Sequence, residues 1–504
     1  MPIKVWTAAL NGLDAVIVTV EADAGGGDFG QIAIVGLPDA ALSEARERVK
    51  SALRNCRLEF PRRKITVNLA PAGLKKRGSA YDLPIAVSII ALKNKFAIDL
   101  SDCLLVGELS LQGEVRPVSG ILSISLAAKA AGINNLFVPR DNAAEAGLVT
   151  GLKIFPIDTL AGLIHCLRQK QLPAPTPNHY ETRVETGRLV DLSSIKGQGK
   201  AKRALEISAA GGHNLLFYGP PGSGKTLLAK AMPSILPPIS FDEKIEVTKI
   251  YSVAGKLGKD TPLISDRPFR SPHHSASAAA LIGGGLWPRP GEISLAHRGV
   301  LFLDEFPEFS RSVLENLRQP LEDGEININR TADCLRFPAK FILLAAMNPC
   351  PCGYAGDKST GCSCRPGQIT AYRRRLSGPL LDRIEMHVEV PRLNFSDLIA
   401  EKGGEDSATV KRRVEAARRR QAERLSGDRL MTNDAIPISL LDKWCRLDEA
   451  GRRLLDKASK NLKLSARSCF RVIKLARTIA DLAAAENIMI EHIAEALQYR
   501  PKLE

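Results

Sequence analysis

The first third of the chain alternates short apolar runs with longer stretches of helical periodicity. The short runs have the length of strands. In the longer stretches apolar residues recur three and four positions apart, as on one face of a helix. The pattern predicts strands at Val16–Glu21, Gln31–Val35 and Lys64–Leu69 and helices at Ala40–Leu53, Leu83–Leu92 and Leu122–Ala131. Residues 1–168 are therefore predicted to form an α/β domain.

Residues 191–399 show a similar alternation, but their apolar runs are continuous. Leu215–Tyr218 is one such run, and Val300–Leu303 has four apolar residues in succession. Continuous apolar runs are typical of strands buried on both faces, as in a parallel sheet. Helical segments at Lys200–Ala210 and Leu227–Met232 flank the first run, so we expect a second α/β domain, built on a parallel sheet.

The C-terminal part, residues 400–504, is helical by its pattern. The predicted helical segments are Val410–Leu425, which is strongly basic, Ile438–Lys457, Leu464–Glu486 and Glu491–Gln498. Residues 169–190 are proline-rich, polar and aperiodic, which is typical of a linker. The predicted organisation is an N-terminal domain at 1–168, a linker at 169–190, an α/β domain at 191–399 and a helical domain at 400–504.

Composition indicates a globular protein with a polyanionic partner. The 504 residues are 44% hydrophobic and 25% charged, which leaves room for two or three domains with full cores. The longest apolar runs, Ile85–Leu92 and Phe341–Met347, are too short to span a bilayer, and the N-terminus lacks the apolar region of a signal peptide. We therefore expect a cytoplasmic protein. The net charge of +15 favours nucleic acid as a partner.

A glycine-rich turn separates the apolar run at Leu215–Tyr218 from the helix after it. Its eight residues, which match the pattern G-x-x-x-x-G-K-[ST], are Gly219, Pro220, Pro221, Gly222, Ser223, Gly224, Lys225 and Thr226. Glycines let the backbone N–H groups surround a phosphate, and the N-terminus of the helix adds positive potential. Lys225 can reach the β- and γ-phosphates and Thr226 can ligate Mg²⁺. The sequence predicts that this protein binds a nucleoside triphosphate, ATP, with Mg²⁺.

Two carboxylates follow the apolar run Val300–Leu303. Such a pair at the end of a buried strand is costly unless it has a function. Asp304 is predicted to hold Mg²⁺ through water, and Glu305 to polarise the attacking water. Downstream of a P-loop, this arrangement indicates hydrolysis.

A long stretch rich in Gly, Ser, Pro and His covers residues 264–297. Long loops inside compact domains usually carry a function, so we interpret it as a functional insertion. His273 and His274 lack a third nearby metal ligand, which favours contact with solvent or phosphate over a metal site. A β-hairpin is predicted around Arg330. Together with Arg270, these residues are candidates for DNA contacts, whereas Arg373–Arg375 is either a solvated basic turn or a further DNA contact.

Four of the ten cysteines crowd into the segment 350–364. Cys350, Cys352, Cys362 and Cys364 form the spacing C-x-C-x9-C-x-C, and four thiolates on a glycine-bearing loop can close around one Zn²⁺. Free surface thiols and a redox pair are the alternatives. Exposed thiols in such number are prone to oxidation, which favours zinc. We expect this loop to affect DNA binding more than ATP binding.

The N-terminal domain resembles the Lon-protease-like domain at Val67–Gly73 and Gly107–Pro117. Proteolytic members of that family use a Ser–Lys dyad. Here Ala80 occupies the serine position and the lysine position falls near Leu122, so a nucleophile would have no base. Ser79, one residue away, is the alternative nucleophile. An interaction or assembly module is the favoured interpretation.

The whole chain resembles the ComM/YifB family of magnesium-chelatase-like AAA+ ATPases. The resemblance rests on the P-loop, on Pro290–Gly299 leading into the paired acids, and on Ala476–Asp481 near the end. The Lon-like start and the cysteine cluster separate the chain from a chelatase motor subunit.

This resemblance assigns further residues. It implies that Ile195 and Gly197 line the adenine pocket and that Asn348 is the sensor-1 residue, which aligns water or the γ-phosphate. Arg383, in a Leu-x-Asp-Arg element, is implied to be the arginine finger that completes the active site of a neighbouring subunit. Arg467 is implied to be sensor 2, with Arg471 as the alternative.

The resemblance also implies a function, that of a hexameric, ATP-driven DNA motor that promotes branch migration during natural transformation. The residues alone indicate a nucleotide hydrolase that binds a polyanion. Two alternatives stay open. A remodelling motor of a metal chelatase would show no DNA-stimulated turnover, and a regulatory Lon-like protease is weakened by the missing dyad.

Overall fold

The chain forms two units in its computed structural model. The first comprises Met1–Arg183, Lys244–Ser265 and Asn329–Arg336, and the second comprises Val184–Glu243, Asp266–Ile328 and Phe337–Glu504. The structure describes residues 3–25, 31–36, 40–61, 63–76, 78–93, 96, 98–177, 189–258, 261–285, 289–329, 334–357, 360–393, 404–428, 430–462 and 464–500. Within these ranges, none of the helices combines the length and the apolar character that a membrane span requires.

A seven-stranded mixed sheet forms the first unit, in the order β3-β4-β2-β1-β5-β8-β9. Its strands are β1 (Ile3–Asn11), β2 (Asp14–Gly25), β3 (Ile32–Val35), β4 (Lys64–Ala70), β5 (Cys103–Leu105), β8 (Asn135–Pro139) and β9 (Lys153–Ile157), and a small separate sheet pairs β6 (Glu108–Leu109) with β7 (Val115–Arg116). β1 and β2 are antiparallel, whereas β5, β8 and β9 pair in parallel. Along β2, alternate residues point into the core, so one face of this strand is buried.

Helices cover this sheet. They are α1 (Ala40–Asn55), α2 (Asp82–Ala91), α3 (Ile121–Ala130), α4 (Arg140–Ala146) and α5 (Leu160–Gln169). All the elements predicted for residues 1–168 are confirmed. β1, the short strands β5 to β9, α4 and α5 were not predicted from the sequence.

The second unit is built on a five-stranded parallel sheet, in the order β11-β14-β17-β10-β18. Its strands are β10 (Leu215–Tyr218), β11 (Phe269–Arg270), β14 (Val300–Leu303), β17 (Ile342–Met347) and β18 (Met386–Glu389). β14 and β17 are buried along their whole length, which confirms the predicted parallel sheet. Two small sheets pair β12 (Gly283–Gly284) with β13 (Arg289–Pro290) and β15 (Glu325–Asn329) with β16 (Cys334–Pro338).

Ten of the described helices lie between residues 199 and 425. They are α6 (Gly199–Gly211), α7 (Lys225–Ile235), α8 (Phe241–Ala254), α9 (Ala278–Ile282), α10 (Glu292–Leu295), α11 (Arg311–Asn316), α12 (Arg318–Asp323), α13 (Pro366–Arg373), α14 (Gly378–Leu381) and α15 (Ser407–Leu425). The stretch 264–297, interpreted from the sequence as one insertion, thus supplies the edge strand β11 as well as small elements of its own. Most of α8 belongs to the first unit, where the Lys249 ammonium pairs with Asp14 at 2.5 Å.

The C-terminal helices after α15 are α16 (Leu441–Trp444), α17 (Glu449–Asn461), α18 (Ala466–Leu482) and α19 (Ile490–Leu497). Asp406, Asp448 and Ser465 begin α15, α17 and α18 as N-caps, since each side chain accepts a backbone N–H of the first turn. A buried ion pair between Arg424 and Asp481, 2.8 Å apart, joins α15 to α18. The helical character predicted for residues 400–504 is confirmed.

Candidate nucleotide-binding site

The glycine-rich turn lies between β10 and α7, at the carboxyl edge of the parallel sheet. Gly222 and Gly224 adopt φ of 74° and 93°, and a Cβ at either position would meet nothing within 4 Å. Their backbone conformation is therefore what requires glycine there. At Gly219 the reason is space, because a Cβ would lie 2.2 Å from the carbonyl oxygen of Val390. The turn has the shape that a phosphate cradle needs.

Lys225 lies in this turn with its ammonium directed at polar atoms. Nζ donates to the carbonyl oxygens of Gly219 and Pro220, at 2.7 and 2.9 Å, and to Oδ1 of Asn348 at 3.2 Å. Burial lowers the pKa of Lys225 to about 8, against the opposing attraction of Asp304. The structure therefore brings the predicted phosphate-binding lysine and the predicted sensor-1 asparagine together.

A hydroxyl and a carboxylate meet beside the lysine. Oγ1 of Thr226 donates to Oδ2 of Asp304 at 2.7 Å. Oxygen ligands from one or two side chains, with phosphates and water, are what Mg²⁺ prefers. The chemistry and spacing of this pair suit Mg²⁺, so Thr226 and Asp304 are the residues that would hold it.

Glu305 has a left-handed backbone, with φ of 51°, although it is not glycine. Conformations of this kind cost energy and cluster at active sites. Its carboxylate oxygen Oε2 lies 2.9 Å from Nδ1 of His274. The neighbouring His273 ring is 4.1 Å from that of His274 and hydrogen-bonds Ser275. Of the candidate DNA contacts, His274 therefore reaches the predicted catalytic carboxylate.

The other candidate DNA contacts are placed differently. Arg270 lies in β11, where it pairs with Glu292 at 2.6 Å. Arg330 lies outside the described residues. In the basic run after α13, Arg375 pairs with Glu308 at 2.5 Å.

The predicted adenine-pocket segment precedes α6. Ile195 is buried, and Gly197 has a left-handed φ of 55°. Gln198, which the sequence analysis missed, donates from Nε2 to the carbonyl oxygens of Ser223 at 3.3 Å and Pro391 at 2.7 Å. This side chain ties the segment to the P-loop.

Arg383 and Arg467 both interact with the carboxylate of Glu322, on α12. The guanidinium of Arg383 is almost fully buried and hydrogen-bonds one carboxylate oxygen, while Arg467 is exposed and 3.6 Å from the other. Neither arginine bonds or pairs with Lys225, Asp304, Glu305 or Asn348, all of which the structure describes. Arg383 and Glu322 also line an open groove of about 450 Å³.

Arg471, the alternative sensor 2, lies instead in a buried polar cluster. Its Nε is 3.6 Å from Glu385, whose pKa rises to about 7 through burial and then through the charge of Asp434. His213, Glu385 and Asp434 bring potential metal ligands within 4.8 Å of one another. The charges of Lys474 and Arg471 act on the same cluster and oppose a metal ion, so we interpret it as a buried charge network.

The four clustered cysteines come together as predicted. The Sγ atoms of Cys350, Cys352 and Cys362 are 3.3 to 3.7 Å apart, and the backbone N–H of Cys352 points at Sγ of Cys364, 3.4 Å away. Zn–S bonds of about 2.3 Å in a tetrahedron place sulfur atoms ~3.8 Å apart. A hydrogen bond from the backbone of Tyr354 lowers the pKa of Cys352 to about 5. The donor set therefore suits Zn²⁺.

In the N-terminal unit, Leu122 is fully buried in the core and Ser79 hydrogen-bonds Glu108. The hydroxyl of Ser79, the alternative nucleophile, is thus bonded to the carboxylate of Glu108. That this domain lacks protease activity stays a prediction.

Sequence reasoning missed Gln198, Glu322 and the contact of His274 with Glu305. Gln198 is one residue from the segment that the resemblance marked, and its left-handed φ of 57° follows a glycine. Glu322 carries no local signal, because its role depends on two residues that are distant in the sequence.

Comparison with known proteins gives matches along most of the chain. Family models described as "Magnesium chelatase, subunit ChlI", "Subunit ChlI of Mg-chelatase" and "Magnesium chelatase, subunit ChlI C-terminal" match residues 191–398, 20–142 and 404–500. The protein YifB of Salmonella typhimurium is 44% identical over 503 residues, which cover 98% of this chain and 96% of YifB.

Two further relatives bear on function. The competence protein ComM of Haemophilus influenzae is 44% identical over 502 residues, which cover 98% of this chain and 97% of ComM. The magnesium-chelatase 38 kDa subunit of Rhodobacter capsulatus is 26% identical over 288 residues, which cover 54% of this chain and 69% of that subunit.

Proposed function

We propose that this chain, which belongs to the magnesium-chelatase-like ATPase family that includes YifB and ComM, is an ATP-driven DNA motor. In this proposal it forms a hexamer in the cytoplasm and promotes branch migration when transforming DNA is integrated. The observation that carries the proposal is the arrangement at the carboxyl edge of the parallel sheet. There Lys225 contacts Asn348, and Thr226 contacts Asp304.

Each side chain has a distinct role in hydrolysis. The P-loop N–H groups and Lys225 bind the phosphates of ATP, while Thr226 and Asp304 would hold Mg²⁺, which would supply neutralising charge to the phosphates. Glu305 orients and deprotonates the attacking water, and Asn348 positions that water or the γ-phosphate. Gln198 holds the adenine-pocket segment against the P-loop through the carbonyl of Ser223.

The placement of the arginines supports assembly into a ring. Arg383 and Arg467 bind Glu322 and make no hydrogen bond or ion pair with the described residues Lys225, Asp304 and Glu305 of their own chain. We therefore assign both to the nucleotide of a neighbouring subunit. Mixing Arg383→Ala chains with Lys225→Ala chains should restore some hydrolysis, since some interfaces then pair an intact arginine with an intact P-loop. No recovery at any mixing ratio would contradict a shared active site.

DNA is the polyanion that the net charge of +15 favours. His274 links the segment 264–297 to Glu305, which offers a route from DNA contact to hydrolysis. The test is strand displacement on a forked or three-stranded substrate with ATP, with Glu305→Gln as the inactive control. DNA binding without ATP-dependent strand movement would leave a DNA-binding ATPase and refute the motor.

A chelatase-type remodelling motor is the alternative, suggested by the R. capsulatus relative. The two functions differ in what stimulates turnover. A DNA motor should hydrolyse ATP faster with single-stranded DNA, and this stimulation should fall steeply with salt. A remodelling motor should hydrolyse ATP at the same rate with and without single-stranded DNA, whatever the salt concentration.

Zinc is the further cofactor that we propose, held by Cys350, Cys352, Cys362 and Cys364. Purified protein should contain about one Zn²⁺ per chain, and replacing any one of these cysteines should release it. Elemental analysis without chelators tests this, and protein free of zinc would refute the assignment.

A further inference from the structure

The four-cysteine loop, residues 350–364, lies directly against the P-loop. A Cβ built on Gly353 would be 2.5 Å from Cδ and 2.6 Å from Cγ of Pro221, and 3.9 Å from Cγ of Asn348. Real Cβ atoms do not approach other atoms as closely as 2.5 Å, so only glycine permits this contact. A side-chain atom at this one position of the loop would thus meet both the P-loop and the asparagine that binds Lys225.

Two more contacts link the loop to Asn348. Cys350 follows it by two positions and is fully buried, so the start of the loop is packed close to the end of β17. Tyr372, on α13 just after the loop, hydrogen-bonds the backbone of Asn348. The loop is therefore packed into the nucleotide site at its start, at Gly353 and just beyond its end.

We propose that the four-cysteine loop is a positioning element of the nucleotide site, which fixes Pro221 and Asn348 for phosphate binding through the contact of Gly353. This inference rests on the proposed function for the nucleotide site, and zinc would keep the loop folded. It reverses the expectation from sequence that the loop affects DNA binding more than ATP binding.

The loop contains its own control position. Gly353 and Gly356 both have left-handed φ, of 90° and 81°. A Cβ at Gly356 would meet nothing within 4 Å, whereas one at Gly353 would collide with Pro221. Alanine therefore brings comparable backbone strain at both positions, but pushes on the P-loop only at position 353.

The experiment measures the affinity for a fluorescent ADP analogue in the full chain. Since relieving the collision requires a shift of about 1 Å, and such displacements can cost about 10²-fold, Gly353→Ala should weaken binding about ten- to a hundredfold. Gly356→Ala should weaken it no more than about threefold, as expected for a change that leaves the site in place. Equal losses in the two variants would overturn the proposal.

A second variant separates positioning from misfolding. Pro221→Ala removes the ring atoms Cγ and Cδ that the methyl group introduced by Gly353→Ala would strike. The double variant Gly353→Ala/Pro221→Ala should therefore recover most of the affinity relative to Pro221→Ala alone, because neighbouring sites that share a contact are not additive. Losses that simply add would overturn the proposal even if Gly353→Ala binds weakly.

Zinc content of the same samples keeps the two ideas distinguishable. If Gly353→Ala binds weakly and Pro221→Ala rescues it in protein without zinc, the positioning role stands and the metal assignment falls. If zinc is present and the two glycine variants bind ADP equally well, the metal stands and the positioning role falls. A failure of the nucleotide site itself would appear as wild-type protein that does not bind the analogue.

Discussion

Replacing His274 with alanine should raise the basal rate of ATP hydrolysis. His274 Nδ1 is 2.9 Å from Oε2 of Glu305, and the carboxylate that must accept a proton from water is thus already engaged. A carboxylate oxygen that accepts a hydrogen bond is directed toward its donor and away from the attacking water. We therefore expect this contact to restrain hydrolysis until DNA binds the segment that carries His274.

The size of the effect follows from the exposure of the pair. The side chains are 35% and 54% exposed, so water competes for the hydrogen bond. A net value of about 1 kcal/mol is appropriate for such a bond, which corresponds to about fivefold in the population of free carboxylate. His274→Ala should raise the basal kcat about fivefold, leave KM unchanged, and reduce the stimulation by DNA by the same factor.

The assay is steady-state ATP hydrolysis with and without single-stranded DNA. His273→Ala is the matched control, because His273 bonds Ser275 and does not bond Glu305. His274→Asn, which retains a donor, should behave more like the wild type. A fall in kcat for His274→Ala would refute the reasoning, because it would show that the contact orients Glu305 for catalysis.

Three further predictions concern single residues. Lys225→Ala should abolish nucleotide binding, whereas Glu305→Gln should bind normally and turn over about 10²–10³ times more slowly, as measured by equilibrium binding and by phosphate release. Because burial lowers the pKa of Lys225 to about 8 and phosphate needs its ammonium form, calorimetry should show ATP affinity falling by up to about tenfold per pH unit above about pH 8, and Lys225→Arg should remove this dependence. Burial raises the pKa of Glu385 to about 7, so its protonated form stabilises the fold at low pH and this contribution is lost as pH rises through about 7. Glu385→Gln should therefore flatten the decline of the thermal midpoint between about pH 4.5 and about pH 7.

The nucleotide site could be predicted because its signals are local. Lys225, Asp304 and Asn348 each follow an apolar run at a fixed offset, and each run became a strand of the same parallel sheet. Parallel strands present their carboxyl ends at one edge, so three independent local signals necessarily converge there. This geometry explains why roles assigned to the three residues one by one fall on side chains that lie close together in the structure.

Other contacts around the candidate site could not be predicted, because the residues that make them are remote in sequence. β11 has only two residues, so no pattern marks Phe269–Arg270 as an edge strand beside β14. Without that strand, nothing brings His274 to Glu305. In the first unit β5 is likewise only three residues long, and its strand character comes from pairing with β1 and β8.

The contacts of Glu322 support the proposal of an active site shared between subunits. Its carboxylate accepts a hydrogen bond from Arg383, which lowers the pKa of Glu322, and Arg467 approaches its other oxygen at 3.6 Å. Two arginines on one carboxylate form a site that suits any anion with two oxygens, including a phosphate. In the proposed hexamer, a phosphate of the neighbouring subunit would replace the Glu322 carboxylate between the two arginines.

Removing this charge should favour assembly. Glu322→Gln keeps the shape of the side chain but weakens its hold on Arg383 and Arg467 by about 1 kcal/mol, the value for a pair whose carboxylate is half-exposed. Hexamers with an ATP analogue should therefore form at about fivefold lower protein concentration. Glu315→Gln is the control, because Glu315 lines the same groove but pairs with Arg318, at 2.9 Å. Native mass spectrometry across a dilution series measures both variants. If hexamers of Glu322→Gln dissociated more readily than hexamers of the control, the reasoning would be wrong. Glu322 would then stabilise the interface, and Arg383 would act while bound to Glu322 and not after leaving it.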